Sequence, residues 1–145
     1  MTEVTIQEME QGEEFTAWLT DLLQEDAYQT GSDAFLEHKF LALTNEIGDW
    51  IGGLRYTLRG GVAHLVELAV APEERHKGHA HMMLAAFEQH ARANDAHLAE
   101  FWTNDLRSEA LLAAFGWRRI LERPDYIAGE TWVLMEQRLH EDSEE

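Results

Sequence analysis

Residues 62–84 read VAHLVELAVAPEERHKGHAHMML, and the fold turns on how this stretch changes period. From Val62 to Val70 apolar residues recur with the spacing of a strand, and Pro72 ends that run. Beyond it Met83, Leu84, Phe87 and Ala91 follow helical spacing, which predicts a helix over residues 78–94. Between the two lies a loop carrying Arg75, His76, Lys77, His79 and His81 around Gly78, in a chain whose formal net charge is -17. Glycine lets a backbone approach a ligand closely, and the first turn of the following helix offers unpaired N–H groups at the positive end of its dipole. Such a loop suits an anion, phosphate above all. Neither GxxxxGK[ST] nor GxGxxG occurs, so it is neither a P-loop nor a dinucleotide fingerprint.

Outward from this core, KFLALTNE, WIGGLRYTL and VAHLVELAV are separated by the turn signals IGD and RGG, and read as an antiparallel meander. HLAEFWT follows the long helix as a strand, and a crossover of that length implies a parallel pair with VAHLVELAV. SEALLAAF reads as a helix closed by Gly116, and WRRILE and TWVLMEQRL as two last strands around the loop ERPDYIAGE. At the other end VTIQEM alternates like a strand, EEFTAWLTDLLQEDAY is an amphipathic helix, and SDAFLEH is a short helix capped by Ser32. The expectation is a mixed α/β (α+β) domain over residues 1–139, with a mostly antiparallel sheet of about seven strands and about four helices. HEDSEE, residues 140–145, is expected to be a frayed acidic tail.

At 145 residues and 45% hydrophobic content the chain can bury one core without staples. It has no cysteine, which excludes disulfides, thiolate zinc sites and a cysteine nucleophile. Against 11 Lys plus Arg stand 28 Asp plus Glu, a balance that repels nucleic acid and anionic membranes and weakly favours cationic partners. The N-terminus is acidic where a signal peptide would be basic, and no apolar run reaches the roughly 20 residues of a membrane span. A cytoplasmic protein is expected. His76, His79 and His81 lack a carboxylate at helical spacing to complete a ligand set, so no metal site is expected.

The segment LAVAPEERHKGHA resembles the acyl-CoA motif of the GNAT superfamily of N-acetyltransferases, whose signature is arginine or glutamine, two residues, glycine, one residue, glycine or alanine. Arg75, Gly78 and Ala80 fill it, after a strand that ends in Val70. The order of elements resembles that fold over nearly the whole chain, and DLRSEALLAAFGW resembles its second cofactor-contacting helix. The resemblance implies acetyl-CoA as cosubstrate, with backbone amides from Arg75 through His76, Lys77, Gly78 and His79 to Ala80 holding the pyrophosphate. It implies pantetheine pairing at Leu68 and Val70, where the family's fourth and fifth strands splay apart. Asp105 falls where relatives often place an asparagine that contacts pantetheine, with Asn104 one residue early.

The implied activity is acetyl transfer to a primary amine by direct attack in a ternary complex; the alternative is a noncatalytic acyl-CoA-binding or sensor domain. An amine with a reference pKa of about 10.4 must lose a proton to react. His64 and Glu67 are the candidate bases. Three residues apart, they point to opposite faces of a regular strand unless a bulge intervenes. His64 shares a face with Val66, Leu68 and Val70, and relatives place base residues at its register, so it ranks first. Where the family often has a tyrosine that protonates the departing thiolate, registering on Gly116 puts Leu112; Tyr126 could substitute from its loop, or no protein acid is used. Trp50, Tyr56, Trp102 and Tyr126 are core or acceptor-pocket aromatics. The acceptor, a small molecule or peptide amine, is set by residues 24–38 and 122–131, whose Glu25, Asp26, Asp33, Glu37, Asp125 and Glu130 suggest a cationic body. A homodimer is common among relatives.

Overall fold

Two glycines with left-handed backbone turn the chain between its central strands. In the computed structural model, which describes residues 4–10, 12–30 and 36–139, Gly60 and Gly61 have φ of 56° and 86°. Positive φ at both central residues is what a type I′ hairpin turn requires, and this turn pairs β2 (Trp50–Arg59) with β3 (Val62–Val70) antiparallel. β1 (Glu37–Thr44) joins β2 through a turn in which the Asn45 side chain accepts from the N–H groups of Ile47 and Asp49, at 3.1 and 2.9 Å. The expected meander is therefore present.

β3 continues through a short 3₁₀ turn, Pro72–Glu74, into α2 (His79–Ala93), and the chain returns as β4 (Leu98–Thr103), parallel to β3. α3 (Leu106–Ala114), β5 (Arg118–Arg123) and β6 (Trp132–Arg138) complete the sheet in the order β1-β2-β3-β4-β6-β5. Gly116, at φ 94°, ends α3 as expected. Its N–H donates to Ala113 and that of Trp117 to Leu112, the pair of bonds that satisfies the last carbonyls of a helix.

The core lies where α2 covers the sheet. Met83, Leu84, Phe87 and Ala91 meet the face formed by Leu54, Tyr56, Leu58, Ala63 and Leu65, and Tyr56 packs edge-on against Phe87 at 5.0 Å. Burial, with the Glu37 carboxylate as a second cause, raises the Tyr56 phenol above its ordinary value. Glu88 is buried with this core, and its carboxylate accepts from Trp117 Nε1 at 2.7 Å. Tyr56 is thus a core residue and not a pocket aromatic.

Contacts divide the chain into two units, Met1–Phe35 and Leu36–Glu145, and the sheet belongs to the second. The first contains α1 (Glu13–Thr30), whose Glu13 and Glu14 suit the positive end of the helix dipole. Residues 4–10 form no strand, contrary to the alternation of VTIQEM. Alternation marks a face, whereas a strand is made by ladder bonds to a neighbour, and these residues have none. The sheet has six strands and the described residues three helices, where seven and four were expected. Of the expected helix SDAFLEH, Ser32 to Phe35 lie outside the described residues, while Glu37 and His38 open β1. The tail 140–145 also lies outside them. No helix among the described residues is long and apolar enough to cross a membrane.

Candidate active site

The parallel ladder between β3 and β4 has three rungs, Val62 to Leu98, Ala63 to Ala99 and His64 to Glu100. Beyond His64 the strands part, and β3 goes on alone along β2 to the pair Val70 and Gly52. Ala71 N–H donates to Ile51 across that ladder, so strand alternation directs the peptide groups of Leu68 and Val70 to the open edge. One of these groups is already in use, since Val70 C=O accepts from Arg75 Nε at 3.0 Å. Leu68 and Val70 thus lie on the open edge of β3.

The basic loop lies at the mouth of this gap. Backbone φ changes sign along it, from -75° at Arg75 to 65° at His76 and 86° at Gly78, with Lys77 between them negative. Alternation of this kind turns successive N–H groups into a concavity for an anion. Among the described residues, the backbone N–H groups of His76, Lys77, Gly78, His79, Ala80 and His81 find no acceptor. A Cβ built on Gly78 meets nothing within 4 Å, so the space above the loop is open. The hollow, about 360 Å³, is lined by Val70, Arg75, Gly78, Ala80 and His81 of this segment and by Arg107 of α3. Sequence reading missed Arg107. A signal existed: a guanidinium in the first turn of a helix opposes the dipole, which suggests a role other than helix stability.

Within the loop, Glu74 pairs with two of the basic side chains. Glu74 Oε1 lies 3.3 Å from Lys77 Nζ and 3.2 Å from His79 Nε2, and these hydrogen bonds, that of His79 first, hold its carboxyl below the ordinary value. His79 Nδ1 is buried and unpaired. The His81 ring instead tilts against Phe115 at 5.7 Å, so the loop imidazoles turn to different partners. No cluster of three His, Asp or Glu with metal-ligand spacing occurs among the described residues.

On β3 a bulge changes the expected facing. The register slips between Arg55 and Tyr56 of β2, which face Glu67 and Leu65, and Val66 is the extra residue. A slip of one residue reverses all later side chains. His64 therefore shares a face with Glu67 and Ala69, whereas Leu68 and Val70 turn with Leu65 toward the core side. This corrects the regular-pleat expectation and brings both candidate bases to one face. Glu67, largely exposed, lies 3.3 Å from Arg55 Nε as an ion contact without hydrogen-bond geometry. It borders a cleft of about 790 Å³ lined also by Phe40, Trp50, Gly53 and Ala69. His64 is half-buried at the fork, with Nδ1 3.1 Å from the Glu100 carboxylate.

Other expected residues are placed more distantly. Asp105 caps α3, accepting from Arg107 N–H and Ser108 Oγ at 3.1 and 3.2 Å, and Asn104 donates to Glu130 at 3.1 Å. Both line a separate hollow of about 250 Å³ at the end of β4, apart from the loop. Leu112 is buried in the core. The Tyr126 ring lies tilted against Trp102 at 5.2 Å and edge-on to Trp132 at 6.5 Å, with Arg123 over its ring at 4.5 Å. Trp102 is on β4 two residues beyond Glu100 and so on the face that carries His64.

A sheet that forks beside a basic loop at a helix start is the arrangement to which comparison with known proteins gives a family. The Acetyltransferase (GNAT) family model matches residues 4–117, and the chain belongs to that family. Among solved structures, a protein from Agrobacterium tumefaciens assigned to the acetyltransferases is similar at 19% identity, TM-score 0.73, over 94% of this chain and 99% of that one. An acetyltransferase from Bacillus cereus is similar at 20% identity and TM-score 0.69, over 92% and 98%. The ribosomal-protein-S18-alanine N-acetyltransferase of Escherichia coli follows at 15% identity and TM-score 0.67, over 83% and 79%. At such identities the likeness is one of fold. No curated protein sequence matches the chain.

Proposed function

We propose that the protein is an acetyl-CoA-dependent N-acetyltransferase that acetylates a primary amine by direct attack in a ternary complex. The observation that carries this reading is the coincidence of a forked parallel pair with six unpaired N–H groups at its mouth. Acetyl-CoA supplies an acyl group activated as a thioester. The amides of His76 to His81, with Arg107 opposite, suit its pyrophosphate, and the open edge at Leu68 and Val70 suits the amides of its pantetheine arm.

The acceptor amine arrives protonated at neutral pH and must be deprotonated before attack. His64 takes that proton on the face shared with Glu67, which lines the larger cleft and is the second candidate. Leu112 offers no proton at the position where the family often has tyrosine. Thiols have pKa values near 8.5, so a thiolate leaves without obligatory protonation, and Tyr126 serves in the aromatic group with Trp102. The absence of cysteine favours direct transfer over an acyl-enzyme. The acceptor is a cationic small-molecule or peptide amine, drawn by the acidic surface through a field that salt screens.

The test is release of free CoA thiol from acetyl-CoA with polyamines, lysine-like amines, peptide N-termini and arylalkylamines, at low and high salt. Turnover with a cationic amine that weakens with salt is expected. Tight CoA binding without turnover on any amine would instead leave a CoA-binding module, and preference for arylalkylamines without a salt effect would overturn the cationic acceptor.

A further inference from the structure

His64 and Glu100 form the last rung before β3 and β4 part. In a parallel pair, side chains at one rung stand on the same face about 5 Å apart at their origins, and here the imidazole and carboxylate meet at 3.1 Å. Each side chain is 31% exposed, so the pair is only partly screened. Arg59 and Arg138 also lie on this face and make no ion pair among the described residues, while other charged groups near the pair have partners of their own. Arg55 is held by Glu67, and Glu136, beside Glu100 on β6, by Arg118 at 3.1 Å; His38 lies on β1, one strand beyond Thr57, which faces His64. Among the described residues the Glu100 carboxylate has no cation partner except His64.

A carboxylate only accepts hydrogen bonds, and a neutral imidazole has one donor and one acceptor nitrogen. Nδ1 therefore carries the hydrogen toward Glu100, and the lone pair is left on Nε2, which makes no hydrogen bond among the described residues. That tautomer is the one a base facing an incoming amine needs. When Nε2 takes the amine proton, the imidazolium lies against a carboxylate already in place. We infer that Glu100 is a positioning residue that fixes the tautomer and orientation of His64, so that the two act as a base dyad at the fork of the sheet. The inference rests on the reading of His64 as the base.

Glu100→Gln keeps the shape and replaces an acceptor-only carboxylate with an amide that can also donate, so the Nε2–H form is no longer disfavoured. Nitrogen NMR of the imidazoles, with the His64 signal assigned by its loss in His64→Ala, is expected to show the Nδ1–H form in the parent and a gain of the Nε2–H form in Glu100→Gln. Turnover in Glu100→Gln is expected to fall about 10- to 100-fold, the usual cost of losing the partner that orients a functional histidine, with the KM for acetyl-CoA unchanged. In the His64→Ala background the same change is expected to cost nothing further, because its effect runs through His64. An unchanged tautomer, or an equal loss with and without His64, would overturn the inference alone. Full activity in His64→Ala would overturn the base reading and the inference with it.

Discussion

Replacing Gly78 with valine separates binding of CoA from folding. Gly78 sits at φ 86°, where a β-branched residue is strained, and such strain costs about 1–3 kcal/mol. No other atom lies within 4 Å of the added Cβ, so the packing cost is small. Against a typical stability of about 5–15 kcal/mol the variant remains folded, with a melting temperature lower by roughly 3–10 °C for a chain of this size. The added methyl groups occupy the open space above the loop's N–H groups. Loss of two hydrogen bonds to a charged pyrophosphate, at about 1.5–3 kcal/mol each, weakens binding roughly 10²- to 10⁴-fold. Titration calorimetry of CoA into parent and variant, with circular dichroism to confirm folding, measures both effects. Unchanged affinity in a folded Gly78→Val protein would refute the assignment of this loop to the pyrophosphate.

His64→Ala is expected to lower kcat by roughly 10² to 10⁴ and to flatten the acidic limb of its pH profile, with a smaller loss in Glu67→Gln; steady-state kinetics of the two variants would transfer the role to Glu67 if the ranking reversed. Arg107→Ala should weaken CoA binding about tenfold, the loss of one charge-assisted contact, without lowering the melting temperature, since the side chain opposes its own helix dipole. Glu74→Gln should free Lys77 and His79 for the anion and tighten CoA binding severalfold by calorimetry. The Glu74 carboxyl is held below its ordinary value of 4.5, so its stabilising contribution is full above that pH and lost as pH falls through the lower folded-state value. Melting curves of parent and Glu74→Gln should accordingly differ at about pH 6 and converge in acid.

Period and punctuation in the sequence determined most of the sheet. A run spaced for a strand, Pro72, a basic loop around Gly78 and a run spaced for a helix specify strand, loop and helix by local sterics and hydrogen bonding alone, and Gly60, Gly61 and Gly116 mark turns that only left-handed backbone can make. Three things were decided by tertiary contact. VTIQEM alternates yet forms no strand, because a strand exists only with a ladder partner. The bulge at Val66, invisible in residue types, reverses the later half of β3 and sets Glu67 beside His64 on one face. Arg107 and Glu100 are distant in sequence from the loop and from His64, and they reach those sites because α3 and β4 return to the same gap. Periodicity reports how one segment faces solvent and core, whereas a site assembled across a forked parallel pair depends on which rung is last, and only the folded sheet sets that.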